Sequence, residues 1–321
     1  MPDIQANGLS FHYDSRGPES EGTPVILMIM GLGVQMVLWP EALLDALAQQ
    51  GFRVVRFDNR DIGLSSHLDH LGVPNVAVEM LKFFAHLPVK APYLIDDMAD
   101  DTAALIDVLK LGRPHVVGAS MGGMIGQSLA VRHPAKLASL TSIMSTTGRR
   151  SLPQPTWQTR RALLEQPPKP GDIEAAIARM VRVISMISSR THPPDPSHLR
   201  SVCERHILRS NHPAGAARQL LAIAASGDRT RAVRQIKAPT LVIHGDEDPL
   251  VRPGCGIETA HVIREGGGTA ELAMIVGMGH DFPLPLIPLI AARIAAHCRA
   301  NSSSVSVATD LSGTASMLKS L

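Results

Sequence analysis

Gly118-Ala119-Ser120-Met121-Gly122-Gly123 sets a serine among glycines, directly after the apolar run His115-Val116-Val117 and before a stretch of helical periodicity. A strand that reverses into a helix through such a turn holds its serine in a strained backbone conformation, and the glycines remove Cβ atoms that would collide. The hydroxyl then stands above the carboxyl edge of a sheet, beside the unpaired amides of a helix N-terminus, where negative charge on a substrate oxygen is stabilised. The chemistry implied is nucleophilic attack on a carbonyl. A serine hydroxyl is weak at neutral pH and needs a base, and the base needs a group that orients it. Two later segments offer both. One apolar run ends in His244-Gly245-Asp246-Glu247-Asp248-Pro249, and the next ends in Gly277-Met278-Gly279-His280-Asp281. Asp246 and Asp248 share a turn, so either could reach the imidazole of His280, the one histidine that follows a strand after the acid in a glycine-rich loop.

These groups need a scaffold that brings three strand ends together. From Pro24 to about Ser145 short apolar runs alternate with helical patterns, which is the signature of crossovers into a parallel sheet. Val25 to Met30 and Phe52 to Phe57 read as strands around a helix over Pro40 to Gln50, and Tyr93 to Leu111 contains the next helix. After about Gly148 the strand-like runs stop and four proline-punctuated helical segments follow to about Ala232. Strands return at Ala238 to Gly245 and Glu271 to Val276, with helices near Pro253 to Glu265 and Pro288 to Arg299. The expected organisation is an α/β core over 1–148 and 233–299, a helical cap over 149–232, and a disordered tail over 300–321.

Composition excludes several classes. The 321 residues carry 31 Lys plus Arg against 29 Asp plus Glu, and a net of +2 lacks the basic surplus that phosphate-backbone binding needs, so nucleic acid is not an expected partner. Residues 149–232 hold 13 Arg and 1 Lys against 3 Glu and 3 Asp. This is read as solvated helix faces or as a rim that attracts anions. Cys203, Cys255 and Cys298 are too widely spaced for a disulfide framework or a paired metal motif and suit a reducing compartment, so a cytoplasmic location is expected. The start of the chain has no secretory pattern, and the stretch Val25 to Trp39 is too short and too interrupted to span a bilayer. His192, His198, His206 and His212 in the insertion show no metal-ligand spacing. Neither a metal nor an organic cofactor is expected. Oligomeric state is not legible, although the apolar Phe282 to Leu286 could pack under the cap or meet a partner.

The motifs together resemble the α/β-hydrolase superfamily of esterases and lipases, over about residues 24 to 299. The resemblance is carried by Gly118 to Gly122, by Gly245-Asp246-Glu247-Asp248, by Gly279-His280, and by Asp58-Asn59-Arg60-Asp61-Ile62-Gly63-Leu64-Ser65. The Arg-Asp-x-Gly loop and the Gly-Met-Gly-His ending are most similar to aclacinomycin methylesterase-like hydrolases. The resemblance implies a mostly parallel sheet flanked by helices and a Ser120, Asp248, His280 triad, because the family's Gly-x-x-Asp spacing favours Asp248 over Asp246. It also implies oxyanion donors at the backbone amides of Met121 and Leu32, with Gly31 or Gly33 as alternatives by a shift of register, since Met30-Gly31-Leu32-Gly33 replaces the usual His-Gly-x. Asp58 to Ser65 is expected to be architectural, tying the loop that supports the serine turn. The reaction implied is hydrolysis of a small-molecule carboxylic ester through an acyl-enzyme. Thioester, lactone or methyl-ester cleavage and perhydrolysis are alternatives on the same triad, and a non-catalytic ligand-binding protein is the alternative of another class. Met180, Val181, Ile184, Met186 and Ile187 are candidates for an acyl pocket or for burying the cap on the core.

Overall fold

The computed structural model describes residues 3–165, 168–169 and 171–302. Residues 303–321 of the expected tail lie outside the described residues. The chain opens with an antiparallel pair additional to the expected strands, β1 (Asp3–Ala6) and β2 (Leu9–Arg16), which the alternation of Leu9, Phe11 and Tyr13 with polar residues encodes. Then follow β3 (Val25–Ile29), α1 (Glu41–Gln49), β4 (Arg53–Phe57), α2 (Val76–Phe84), α3 (Ile95–Val108), β5 (His115–Ala119), α4 (Met121–Arg132) and β6 (Ser139–Ile143). Five helices come next: α5 (Trp157–Leu164), α6 (Ile173–Ile187), α7 (Pro196–Arg209), α8 (Pro213–Ser226) and the short α9 (Thr230–Val233), one more than the proline punctuation suggested. The chain returns through β7 (Thr240–Gly245), α10 (Pro253–Glu265), β8 (Ala270–Ile275) and α11 (Ile287–Ala300).

The eight strands form one sheet in the order β1-β2-β4-β3-β5-β6-β7-β8, parallel from β4 through β8 and antiparallel at the β1-β2-β4 edge. Alternate side chains of the parallel strands enter two different cores. Leu27, Ile29 and Val116 pack with Met98, Leu105 and Ile125 of α3 and α4 on one face. Ile26, Met28 and Val117 pack with Leu43, Leu47, Ile290 and Ile294 of α1 and α11 on the other. Burial on both faces is why β3, β5 and β7 contain continuous apolar runs rather than alternations. A third, small core of Ile177, Leu199, Cys203 and Ile207 lies within the inserted helices.

The strand order also determines where a site can form. From β3 the chain moves to one side for β4 and then to the other side for β5. The loops leaving β3 and β5 therefore diverge at their carboxyl ends and open a crevice, the position where open α/β sheets bind ligands.

Candidate active site

Ser120 stands at this crevice, between β5 and α4, with φ 55° and ψ −117°. The left-handed φ is costly for a residue with a Cβ, about 1–3 kcal/mol, and the surroundings hold it there. Its amide donates to Ile143 O at 2.9 Å, and its carbonyl accepts from Ser145 Oγ at 2.8 Å. The tight packing depends on Gly122, where a Cβ would fall 2.0 Å from Ile29 O. The strand-to-helix turn is thus wedged against β3.

The loop after β8 carries His280 to the same place. His280 Nε2 is 3.0 Å from Ser120 Oγ, and His280 Nδ1 is 2.7 Å from Asp248 Oδ2. Asp248 is fully buried, and its other oxygen accepts from the amides of Leu250 and Val251, both at 2.8 Å. Those bonds leave Oδ2 aimed at the imidazole, so Nδ1 carries the proton and Nε2 is free to accept from the serine hydroxyl. Asp246 is turned away, with Oδ1 accepting from Gly277 N at 2.8 Å. It braces the histidine loop from the acid turn.

A second histidine, not singled out from sequence, lies beside the acid. His244 is buried at the end of β7 with Nε2 2.7 Å from Val251 O and 3.6 Å from Asp248 Oδ2. Burial holds its pKa below the ordinary histidine value. It is therefore a neutral neighbour that donates to Val251.

The loop after β3 passes against Ser120, since a Cβ on Gly31 would come 3.2 Å from Ser120 Cβ. Three amides in it could face an oxyanion by sequence, and the hydrogen bonds separate two of them. Gly33 N donates to Gln219 Oε1 of α8 at 2.9 Å, whereas no hydrogen bond among the described residues engages Leu32 N. Met121 N lies in the first turn of α4, where amides have no intrahelical acceptor.

The Asp58–Ser65 loop bonds to the loop after β3, which passes against the serine turn, and it also reaches α3 and the inserted helices. Asp58 accepts from Met36 N at 2.8 Å and pairs with Arg209 of α7 at 2.7 Å, and Asn59 Nδ2 donates to Met30 O at 3.0 Å. Arg60 makes a two-pronged pair with Asp101 of α3, at 2.5 and 2.6 Å. Asp61 receives both prongs of Arg218 of α8, at 2.7 and 2.9 Å, which occupies its carboxylate. Although burial works against ionisation of Asp61, Arg218 and the Leu68 amide hold its pKa below the ordinary carboxylate value. The loop therefore fastens the β3 loop to the inserted helices. Sequence could suggest that these aspartates are structural, but not that their partners lie about 150 residues further on.

Between the carboxyl edge of the sheet and the inserted helices runs a cleft of about 2330 Å³. Met180, Ile184 and Ile187 of α6 and Leu220 of α8 line it, facing Trp39 and Phe282. Val181 packs instead against the small core of the insertion, and Met186 is not part of the lining. The segment after α6 is fastened to the acid turn and to the histidine loop. His280 N donates to Ile187 O at 2.8 Å, Ser189 N donates to Asp281 Oδ1 at 3.1 Å, and Glu247 accepts from Arg190 N and Thr191 N at 2.7 and 3.0 Å. Burial pushes the Asp281 carboxyl up to about 6.

Among the described residues, one group has metal-ligand spacing: His67, Asp69 and His212. Its donors are already engaged. Asp69 pairs with Arg218 and His212, each at 2.9 Å, and His212 Nδ1 bonds Asp61 O at 2.9 Å. A cation would have to displace an arginine.

A family model described as the alpha/beta hydrolase fold matches residues 24–282. The rhodomycin D methylesterase DauP of Streptomyces sp. (strain C5) is 29% identical, with 86% of this chain and 91% of that protein aligned. The rhodomycin D methylesterase DnrP of Streptomyces peucetius is 27% identical over the same shares. Among solved structures, the enol-lactonase from Burkholderia xenovorans LB400 superposes with a TM-score of 0.68 at 23% identity, covering 93% of this chain and all of that one, a likeness of fold. No helix among the described residues is long and apolar enough to cross a membrane. With its doubly wound sheet, its serine turn at the switch point and the family match over most of its length, the chain belongs to the α/β-hydrolase fold family.

Proposed function

We propose that this hydrolase cleaves carboxylic esters through an acyl-enzyme, with Ser120 as nucleophile, His280 as base and acid, and Asp248 as the group that orients the histidine. The observation that carries the reading is the continuous line from Asp248 Oδ2 through His280, at 2.7 Å, to Ser120 Oγ, at 3.0 Å. As Oγ attacks the carbonyl carbon, its proton passes to His280 Nε2, and Asp248 stabilises the imidazolium that forms. The amides of Leu32 and Met121 hold the tetrahedral oxyanion. His280 then protonates the leaving alcohol, and a water deprotonated by the same nitrogen attacks the acyl-serine to release the acid.

The inserted helices act in this reading as a cap over the site, and the cleft bounds the substrate. Ligand pockets are typically about 300–1,000 Å³, so about 2330 Å³ admits a bulky, mostly apolar acyl group. Together with the likeness to two methylesterases, this favours a small alcohol on a large acid as a second, narrower reading. The three free, buried cysteines suit a reducing compartment such as the cytoplasm.

The experiment is turnover of p-nitrophenyl esters of increasing acyl length by the purified protein and by a folded Ser120→Ala variant. Activity that rises with acyl bulk and vanishes in the variant is the expected result. Saturable ligand binding without turnover in freshly prepared protein would favour a non-catalytic binding role.

A further inference from the structure

Helix α2 turns Val76, Met80 and Phe83 toward the cleft but leaves other apolar side chains exposed while it buries an acid. Its buried residue is Glu79, 4% exposed, whose carboxylate accepts from Lys82 Nζ and Lys90 N, both at 2.7 Å. Val78, Leu81 and Phe84 face solvent instead, Leu81 with 70% of its surface exposed. Leu87, just beyond the helix, and Trp157 at the start of α5, 75% exposed, extend the apolar area. A surface helix normally buries its apolar stripe, and a contiguous exposed patch marks an interaction site.

The rim of this patch is cationic. Arg150 lies over the ring of Phe83 at 5.7 Å and Arg160 over Phe84 at 5.8 Å, joining α2 to the start of α5. Neither they nor Arg161 has a carboxylate partner among the described residues. Glu165, which shares a surface recess with Trp157, Arg160 and Arg161, is taken by Arg182 at 2.7 Å. A second copy of the chain docked through the same face would set these arginines against one another, which disfavours self-association. A layer of anionic amphiphiles supplies both complements at once, acyl chains for Leu81 and Trp157 and headgroups for the guanidinium groups. Leu81, Phe83, Phe84 and Arg160 also line the cleft, so the face and the mouth of the cleft are continuous.

We propose that α2 and the start of α5 dock this protein on an anionic lipid layer, with the mouth of the cleft turned toward the acyl chains. Docking does not depend on the chemistry at Ser120, and the test separates the two. The full chain is sedimented with phosphatidylglycerol vesicles and with phosphatidylcholine vesicles. Binding is expected to the anionic vesicles and to be at least roughly tenfold weaker to the neutral ones. Arg150→Gln and Arg161→Gln are each expected to weaken it about fivefold, and the double variant Leu87→Ser, Trp157→Ser to abolish it, while all retain hydrolysis of a short soluble ester. Ser120→Ala is expected to bind vesicles as the parent does. Absence of binding, equal binding to both lipids, or variants that bind unchanged would overturn the proposal. So would a dimer in sedimentation equilibrium that the double variant disperses, since a second copy would then cover the face.

Discussion

The amide of Gly33 donates to Oε1 of Gln219 at 2.9 Å, and Gln219 Nε2 donates in turn to Arg60 O at 2.8 Å, so one buried side chain of α8 joins the β3 loop to the β4 loop. Through this bridge a residue far from Ser120 in sequence sets the path of the loop that carries Leu32. Gln219→Leu removes the acceptor and the donor together. Removing an oxyanion donor outright costs about 10²–10³ in kcat. The indirect loss is therefore expected to be roughly tenfold in kcat with KM little changed. A boronic acid that mimics the tetrahedral state should weaken in parallel while the product acid does not. Parallel loss of both affinities would mean that the whole cleft had collapsed.

Ser120 holds a strained backbone conformation. Glycine accepts φ 55° without the Cβ penalty, whereas alanine keeps it. Ser120→Gly should therefore be more stable than Ser120→Ala by about 1 kcal/mol, after allowing for the extra chain entropy of unfolded glycine. Urea unfolding of both inactive variants measures the difference, and equal midpoints would mean that the turn is relaxed.

The two aspartates of the acid turn should separate sharply. Asp248→Asn disrupts the bond that orients His280 and is expected to lower kcat by about 10³–10⁴. Asp246→Asn keeps an oxygen that can accept from Gly277 N and is expected to stay within roughly tenfold of the parent. Steady-state kinetics of both variants on one ester decides the matter. A larger loss at Asp246 would reassign the acid.

Asp281 should make stability depend on pH. Burial raises its pKa to about 6, so the folded state binds this proton more tightly than the unfolded chain. That contribution is fully present below the ordinary carboxylate value of about 3.9 and is lost as pH rises through about 6. Asp281→Asn can still accept from Ser189 N but does not ionise. Its thermal midpoint relative to the parent should therefore climb between about pH 4 and pH 7. A difference that stays flat across that range would show that the carboxyl titrates normally.

Much of this protein is legible in its sequence because the signals are local. Gly118 to Gly123 after an apolar strand announces a serine turn, and proline, glycine and apolar periodicity mark most of the parallel strands and most helices, since strand and helix periods act over a few residues; β6, Ser-Leu-Thr-Ser-Ile, carries no such run. The order Ser120, acid, His280 is likewise written along the chain. What needed tertiary structure is whatever depends on residues meeting across long separations. Asp246 and Asp248 are indistinguishable in a string, and the difference between them is which carboxylate the amides of Leu250 and Val251 hold toward His280. Gly33 loses its free amide only because Gln219, 186 residues later, arrives beside it. Arg209 and Arg218 look like solvated charges on helical faces, yet they are the partners of Asp58 and Asp61, because a buried carboxylate must be paired and the chain supplies its partner from wherever the fold brings one.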